Sequence, residues 1–65
     1  MIKVVDCFSV GKYSILVLGD MPPLDYKKSV RIENVEYETE IVYDFPNAIG
    51  IKANGNFKGK TVEFN

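Results

Sequence analysis

Sixty-five residues, 46% hydrophobic and 26% charged, with a formal net charge of −1, describe one small globular domain spanning residues 1–65 and exclude a disordered chain. The longest aliphatic run, Ile15-Leu16-Val17-Leu18, falls far short of the roughly 20 residues that cross a membrane as a helix. The chain contains no His and one Cys, which excludes Ser-His and Cys-His nucleophile pairs, an imidazole base and a protein-only zinc site.

Ile2 to Val10 alternates loosely and predicts a first strand, with Ile2, Val4, Phe8 and Val10 on one parity and Val5 and Cys7 on the other. Gly11-Lys12 separates it from Tyr13 to Leu18, whose β-branched and aliphatic content predicts a short strand apolar on both sides, as in a closed or covered barrel. Gly19 to Lys28 contains Pro22 and Pro23, which have no amide to donate, and forms the longest loop. Ser29 to Glu33 predicts a third strand with Val30 and Ile32 inward and Arg31 outward, turned by Asn34. Val35 to Ile41 has the cleanest period-2 pattern, with Val35, Tyr37, Thr39 and Ile41 on one face and Glu36, Glu38 and Glu40 on the other.

Asp44 to Asn47 reads as a turn before the last segment. There, Ile49-Gly50-Ile51-Lys52-Ala53 and Phe57 to Phe64 flank Asn54-Gly55, the strongest short-range hairpin signal, so a closing hairpin is expected. Phe57 is out of step with Val62 and Phe64, and Gly59 is the natural position for a bulge between them. No apolar pattern of helical period is present. Six short strands predict an all-β protein, and a barrel is preferred because closure removes exposed edges.

The first and last thirds of the chain resemble the β-barrel second domain of translational GTPases of the elongation factor Tu type. The resemblance rests on Asp6-Cys7-Phe8-Ser9-Val10 at the start, then Ile49-Gly50-Ile51, Asn54-Gly55 and Lys58-Gly59-Lys60-Thr61-Val62, with Lys28 to Ile32 as the strand ahead of the middle hairpin. The Gly-rich turn that follows the first strand in that family is reduced here to Gly11-Lys12-Tyr13. The resemblance implies a six-stranded antiparallel Greek-key barrel, like the translation-protein barrel, that contacts RNA or packs on partner domains. A Gly-x-x-x-x-Gly-Lys-[Ser/Thr] phosphate loop is missing from the sequence, which excludes GTP hydrolysis by this chain.

Two segments are candidates for partner binding. Lys52, Lys58 and Lys60 cluster around the closing segment with Phe57, and cations beside a ring are what single-stranded nucleic acid requires. They lie in residues 45–65, which hold three cations against one anion, whereas residues 29–44 hold one cation against five anions. Met21-Pro22-Pro23-Leu24, with Tyr26 beyond it, offers either a stiff apolar surface for a partner or a stiffened loop with Leu24 or Tyr26 folded over the barrel mouth. The Glu36, Glu38, Glu40 row reads as a solvated face that discourages edge pairing, and Cys7, with no basic residue near it in sequence, as a packing residue.

These readings lead to a non-enzymatic, stand-alone barrel without cofactor or metal that binds a macromolecular partner, a protein or ribonucleoprotein. Two alternatives stand beside it: an RNA-binding module in the manner of the translation-factor barrel, and a self-assembling homo-oligomer, signalled by Tyr37, Tyr43, Phe45 or Leu24 on a shared exposed patch. A lone Cys and the lack of a secretory-signal pattern in Met1 to Asp6 point to the cytoplasm, away from any membrane.

Overall fold

A computed structural model describes residues 1–23, 25–26 and 28–65. Its strands are β1 (Ile2–Val10), β2 (Tyr13–Leu18), β3 (Ser29–Ile32), β4 (Val35–Ile41), β5 (Ala48–Ile51) and β6 (Thr61–Phe64). All pairings are antiparallel, and the sheet closes in the order β1-β2-β5-β4-β3-β6. β3, β4 and β5 follow one another, and β6 returns to lie beside β3, which is a Greek key. The expected all-β, six-stranded barrel is therefore the fold. Among the described residues, no helix is long and apolar enough to cross a membrane.

The barrel interior is filled mainly by alternate residues of five strands: Val4, Leu16 and Leu18, Val30 and Ile32, Ile49 and Ile51, and Val62. β4 contributes Thr39 instead of an aliphatic residue. Val30 and Ile32 face inward and Arg31 outward, as the alternation predicts. The three glutamates of β4 are exposed, but the opposite face is buried only in part. Val35 and Ile41 are themselves more than half open to solvent or close to it, at 50% and 59%, because they stand at the two ends of the strand.

The expected closing hairpin does not form. β5 lies between β2 and β4, and β6 lies between β1 and β3, so the segments flanking Asn54-Gly55 are not neighbours. The tight two-residue turn falls instead at Glu33-Asn34, between the paired Ile32 and Val35, with φ of 51° and 68°. Positive φ at both central residues is the signature of a type I′ hairpin turn, which follows the twist of the flanking strands. Gly59 marks no bulge within a strand. It has φ +88°, in a turn closed by the Lys60 amide donating to the Phe57 carbonyl at 3.0 Å, and β6 begins only after it. That turn settles the mismatch between Phe57 and Val62.

The bulge in this fold lies in β1. Val4 pairs with Leu18 and Asp6 with Val17, so Val5 is an extra residue opposite β2. Val5 and Asp6 are both exposed, and the parity of the strand reverses after them: Cys7 packs against the core while Phe8 and Val10 face outward. The expected single face of Ile2, Val4, Phe8 and Val10 is thus split between inside and outside.

Candidate interaction surface

Two connections meet at the end of the barrel where β2 and β4 finish. The first leaves β2 at Gly19, whose amide donates to the Lys3 carbonyl at 2.8 Å, and Asp20 accepts from the Met21 amide at 2.8 Å. Two prolines then hold the backbone extended without asking for further partners. The loop is fastened again at Tyr26, whose ring meets Phe64 edge-on at 5.0 Å and whose hydroxyl accepts from Thr39 Oγ1 at 3.2 Å. Thr39 is buried, so this bond satisfies a hydroxyl that the aliphatic interior cannot.

The second connection runs from β4 to β5. Asn47 secures it to β2 twice: its carbonyl accepts from the Leu18 amide at 2.8 Å, and its side-chain amide donates to the Leu18 carbonyl at 3.1 Å. Leu18 immediately precedes the turn into the Pro-rich loop, so one anchoring point positions both connections. Between them lies an open cavity of about 310 Å³, lined among others by Met21, Pro22, Pro23, Val42, Tyr43 and Pro46. Tyr43 is 88% exposed and Met21 54%, and Phe45 in the same turn is 52% exposed. Tyr43, Val42 and Pro46 were missed as partners of the Pro-rich loop in the sequence, because the contact spans some twenty residues and only the barrel closure creates it.

The lysine-bearing segment is arranged differently. Phe57 is 8% exposed and its ring meets Tyr37 edge-on at 5.7 Å, so it belongs to the core and is withdrawn from the surface. Lys60, just before β6, is ion-paired to Glu33, just after the neighbouring β3. Lys52 and Lys58 are exposed. The segment before Phe57 is held down by the Ser14 hydroxyl donating to the Ala53 carbonyl and by Cys7 Sγ, 3.7 Å from the Gly55 carbonyl. Cys7 is therefore a half-buried packing residue in this fold.

Of the sequence-derived candidates, Met21 and Tyr26 share one end of the molecule, Tyr26 mainly as an anchor. Leu24 lies outside the described residues. Tyr37 is half-buried, whereas Tyr43 and Phe45 are surface residues. Comparison with protein-family models, with curated proteins and with solved structures returns no match to this chain.

Proposed function

We propose that this chain is a non-enzymatic binding module of the cytoplasm that holds a protein surface, free or within a ribonucleoprotein, by apolar contact at the end where the Pro-rich loop meets the β4–β5 turn. The observation that carries this reading is the convergence of Met21, Pro22 and Pro23 with Val42, Tyr43 and Pro46 around one open cavity. Met and Tyr are residue types enriched in protein interfaces, and a loop stiffened by two prolines loses little entropy when a partner settles on it. The partner's chemistry follows: an apolar segment, since among the described residues those that line this cavity are uncharged. The absence of His from the sequence supports a role without catalysis.

The resemblance of Asp6 to Val10 and Ile49 to Val62 to the elongation factor Tu type barrel motivates the ribonucleoprotein arm. A direct RNA contact through the lysines is less well supported, because Phe57 is buried and Lys60 is already paired. Affinity capture from the host lysate, with and without nuclease, separates these readings. The wild-type chain should recover a protein that resists nuclease, Tyr43→Ser or Met21→Ser should reduce its recovery several-fold, and Lys58→Ala should leave it unchanged. Recovery that vanishes with nuclease and with Lys58→Ala, but survives Tyr43→Ser, overturns the proposal.

A further inference from the structure

Part of β1 has a strand on one side only. On its other side, Ile2 and Lys3 pair with β6, and Val4 exchanges two bonds with the turn before β6: its amide donates to the Lys60 carbonyl and its carbonyl accepts from the Gly59 amide, both at 2.8 Å. There the neighbouring chain leaves the edge, since Phe57 is drawn into the core. β1 runs on past the Val5 bulge to Val10, paired over that length with β2 alone among the described residues. Val10 and Tyr13 close a two-residue turn and so exchange hydrogen bonds, which directs the backbone groups of Phe8 to β2 and those of Cys7 and Ser9 to the open edge. The Cys7 amide is met there by its own neighbour, Asp6 Oδ1, at 2.9 Å. Ser9 is exposed, and an unpaired strand edge is a template for another strand.

We infer that this edge pairs with the same edge of a second copy, antiparallel and centred on Ser9, so that two barrels share one continuous sheet. The order of residues from Asp6 to Lys12 selects both the occupant and the register. With Ser9 opposite Ser9 of the second copy, Phe8 of each copy lies opposite Val10 of the other, and Asp6 opposite Lys12 in the β1–β2 turn. Phe8 is 45% and Val10 54% exposed, so two apolar pairs are covered together and an opposite-charge pair stands at each end, both favourable cross-strand contacts. Slipping one copy by two residues sets Asp6 opposite Val10 in one direction and Lys12 opposite Phe8 in the other. A parallel arrangement brings Asp6 against Asp6 and Lys12 against Lys12. Lys3 lies before the bulge, on the stretch that β6 already covers, and Glu40 is on β4, three strands round the barrel. Lys58, exposed in the turn before Gly59, adds a cation at the Asp6 end without entering the pairing segment. The two-fold axis consumes both open edges, so association stops at two copies. A ladder this short buries less than about 1,200 Å², the size of weak, reversible contacts. The edge is distinct from the loop cavity, and the inference does not depend on the function proposed for that cavity.

Sedimentation equilibrium of the full chain from about 10 μM to about 1 mM, where weak association is populated, tests the inference. The mass should rise from that of one chain, 7.3 kDa, toward twice that value. Over the same range hydrogen exchange at the Ser9 amide should slow, while exchange at the Phe8 amide, directed to β2, should change little. Ser9→Pro removes the donor that the two copies exchange, at an edge position where a single barrel tolerates proline. It should weaken the dimer by at least about tenfold while the far-ultraviolet spectrum is kept, and Val10→Lys takes its place should the proline variant fold poorly. Lys12→Glu and Asp6→Lys should each weaken self-association several-fold, and an equimolar mixture of the two should form a heterodimer more tightly than either variant pairs with itself. A mass of one chain at every concentration overturns the inference. A dimer that leaves Ser9 exchange unchanged and survives Ser9→Pro or Val10→Lys overturns it equally, since it forms through another surface.

Discussion

Tyr26 shows how one side chain serves both the barrel and the surface beside it. Its ring closes over Phe64, and its hydroxyl accepts from the buried Thr39. Tyr26→Phe keeps the ring contact and removes the acceptor, leaving a buried hydroxyl without its partner. The variant should lose about 1 kcal/mol of stability, measurable as a lower urea midpoint with unchanged slope. Asn47 acts similarly on the other connection, since its two bonds to Leu18 are what bring Tyr43 and Pro46 toward the prolines. The sequence offers Tyr26 as part of an apolar surface or as a ring folded over the barrel mouth, and Asn47 as a turn residue; their partners, Thr39 and Leu18, are 13 and 29 positions away.

At the scale of elements, the turn between β3 and β4 carries a cost that the sequence reveals only in part. Glu33 and Asn34 both adopt positive φ, a region disfavoured by roughly 1–2 kcal/mol for a residue with a Cβ, least so for Asn. Asn34→Gly should therefore stabilise the chain, by up to about 1 kcal/mol. Asn54→Ala should shift stability by no more than about 0.5 kcal/mol, because Asn54 sits in a connection between strands that do not pair. Thermal melts of the two variants check this directly: the reverse ranking would mean that the tight hairpin is at residues 54–55 after all.

That contrast also marks what could be read in advance. The first four strands, the inward set Val30, Ile32, Ile49, Ile51 and Val62, and the exposed glutamates follow from alternation and β-branched content, which are local properties, whereas the last strand, expected from Phe57, begins only at Thr61. Which strands pair is not local. Asn54-Gly55 has the composition of a hairpin turn, but closure draws β6 to β1 and β3, where Val62 meets Ile2 and Phe64 meets Val30. The bulge at Val5 was equally hidden, since β1 carries apolar residues on both parities and no alternation marks where they exchange. For the candidate surface, Met21, Pro22 and Pro23 stood out by composition, whereas Val42, Tyr43 and Pro46 joined them only through the fold.

For the molecule as a whole, size sets the margin. At about 0.05–0.15 kcal/mol per residue, a chain of 65 residues has roughly 3–10 kcal/mol of stability. Leu16 is fully buried in β2, and Leu16→Ala should cost about 2–5 kcal/mol, a large share of that margin. Val35→Thr, at an exposed strand end, should change stability by less than about 0.5 kcal/mol. Denaturant titration of the pair measures how much of the fold rests on the single interior layer.

The proposed binding is apolar and centred on Met21, Tyr43 and the prolines between the two connections. The most direct test is the salt dependence of the affinity for the recovered partner, measured between 50 and 200 mM monovalent salt. Apolar contact predicts a dissociation constant that changes by less than about twofold over that range. A single-stranded nucleic-acid contact neutralised by Lys52, Lys58 and Lys60 would instead weaken it by roughly 20-fold, from three neutralised phosphates over a fourfold change in salt, and that result would contradict the proposal.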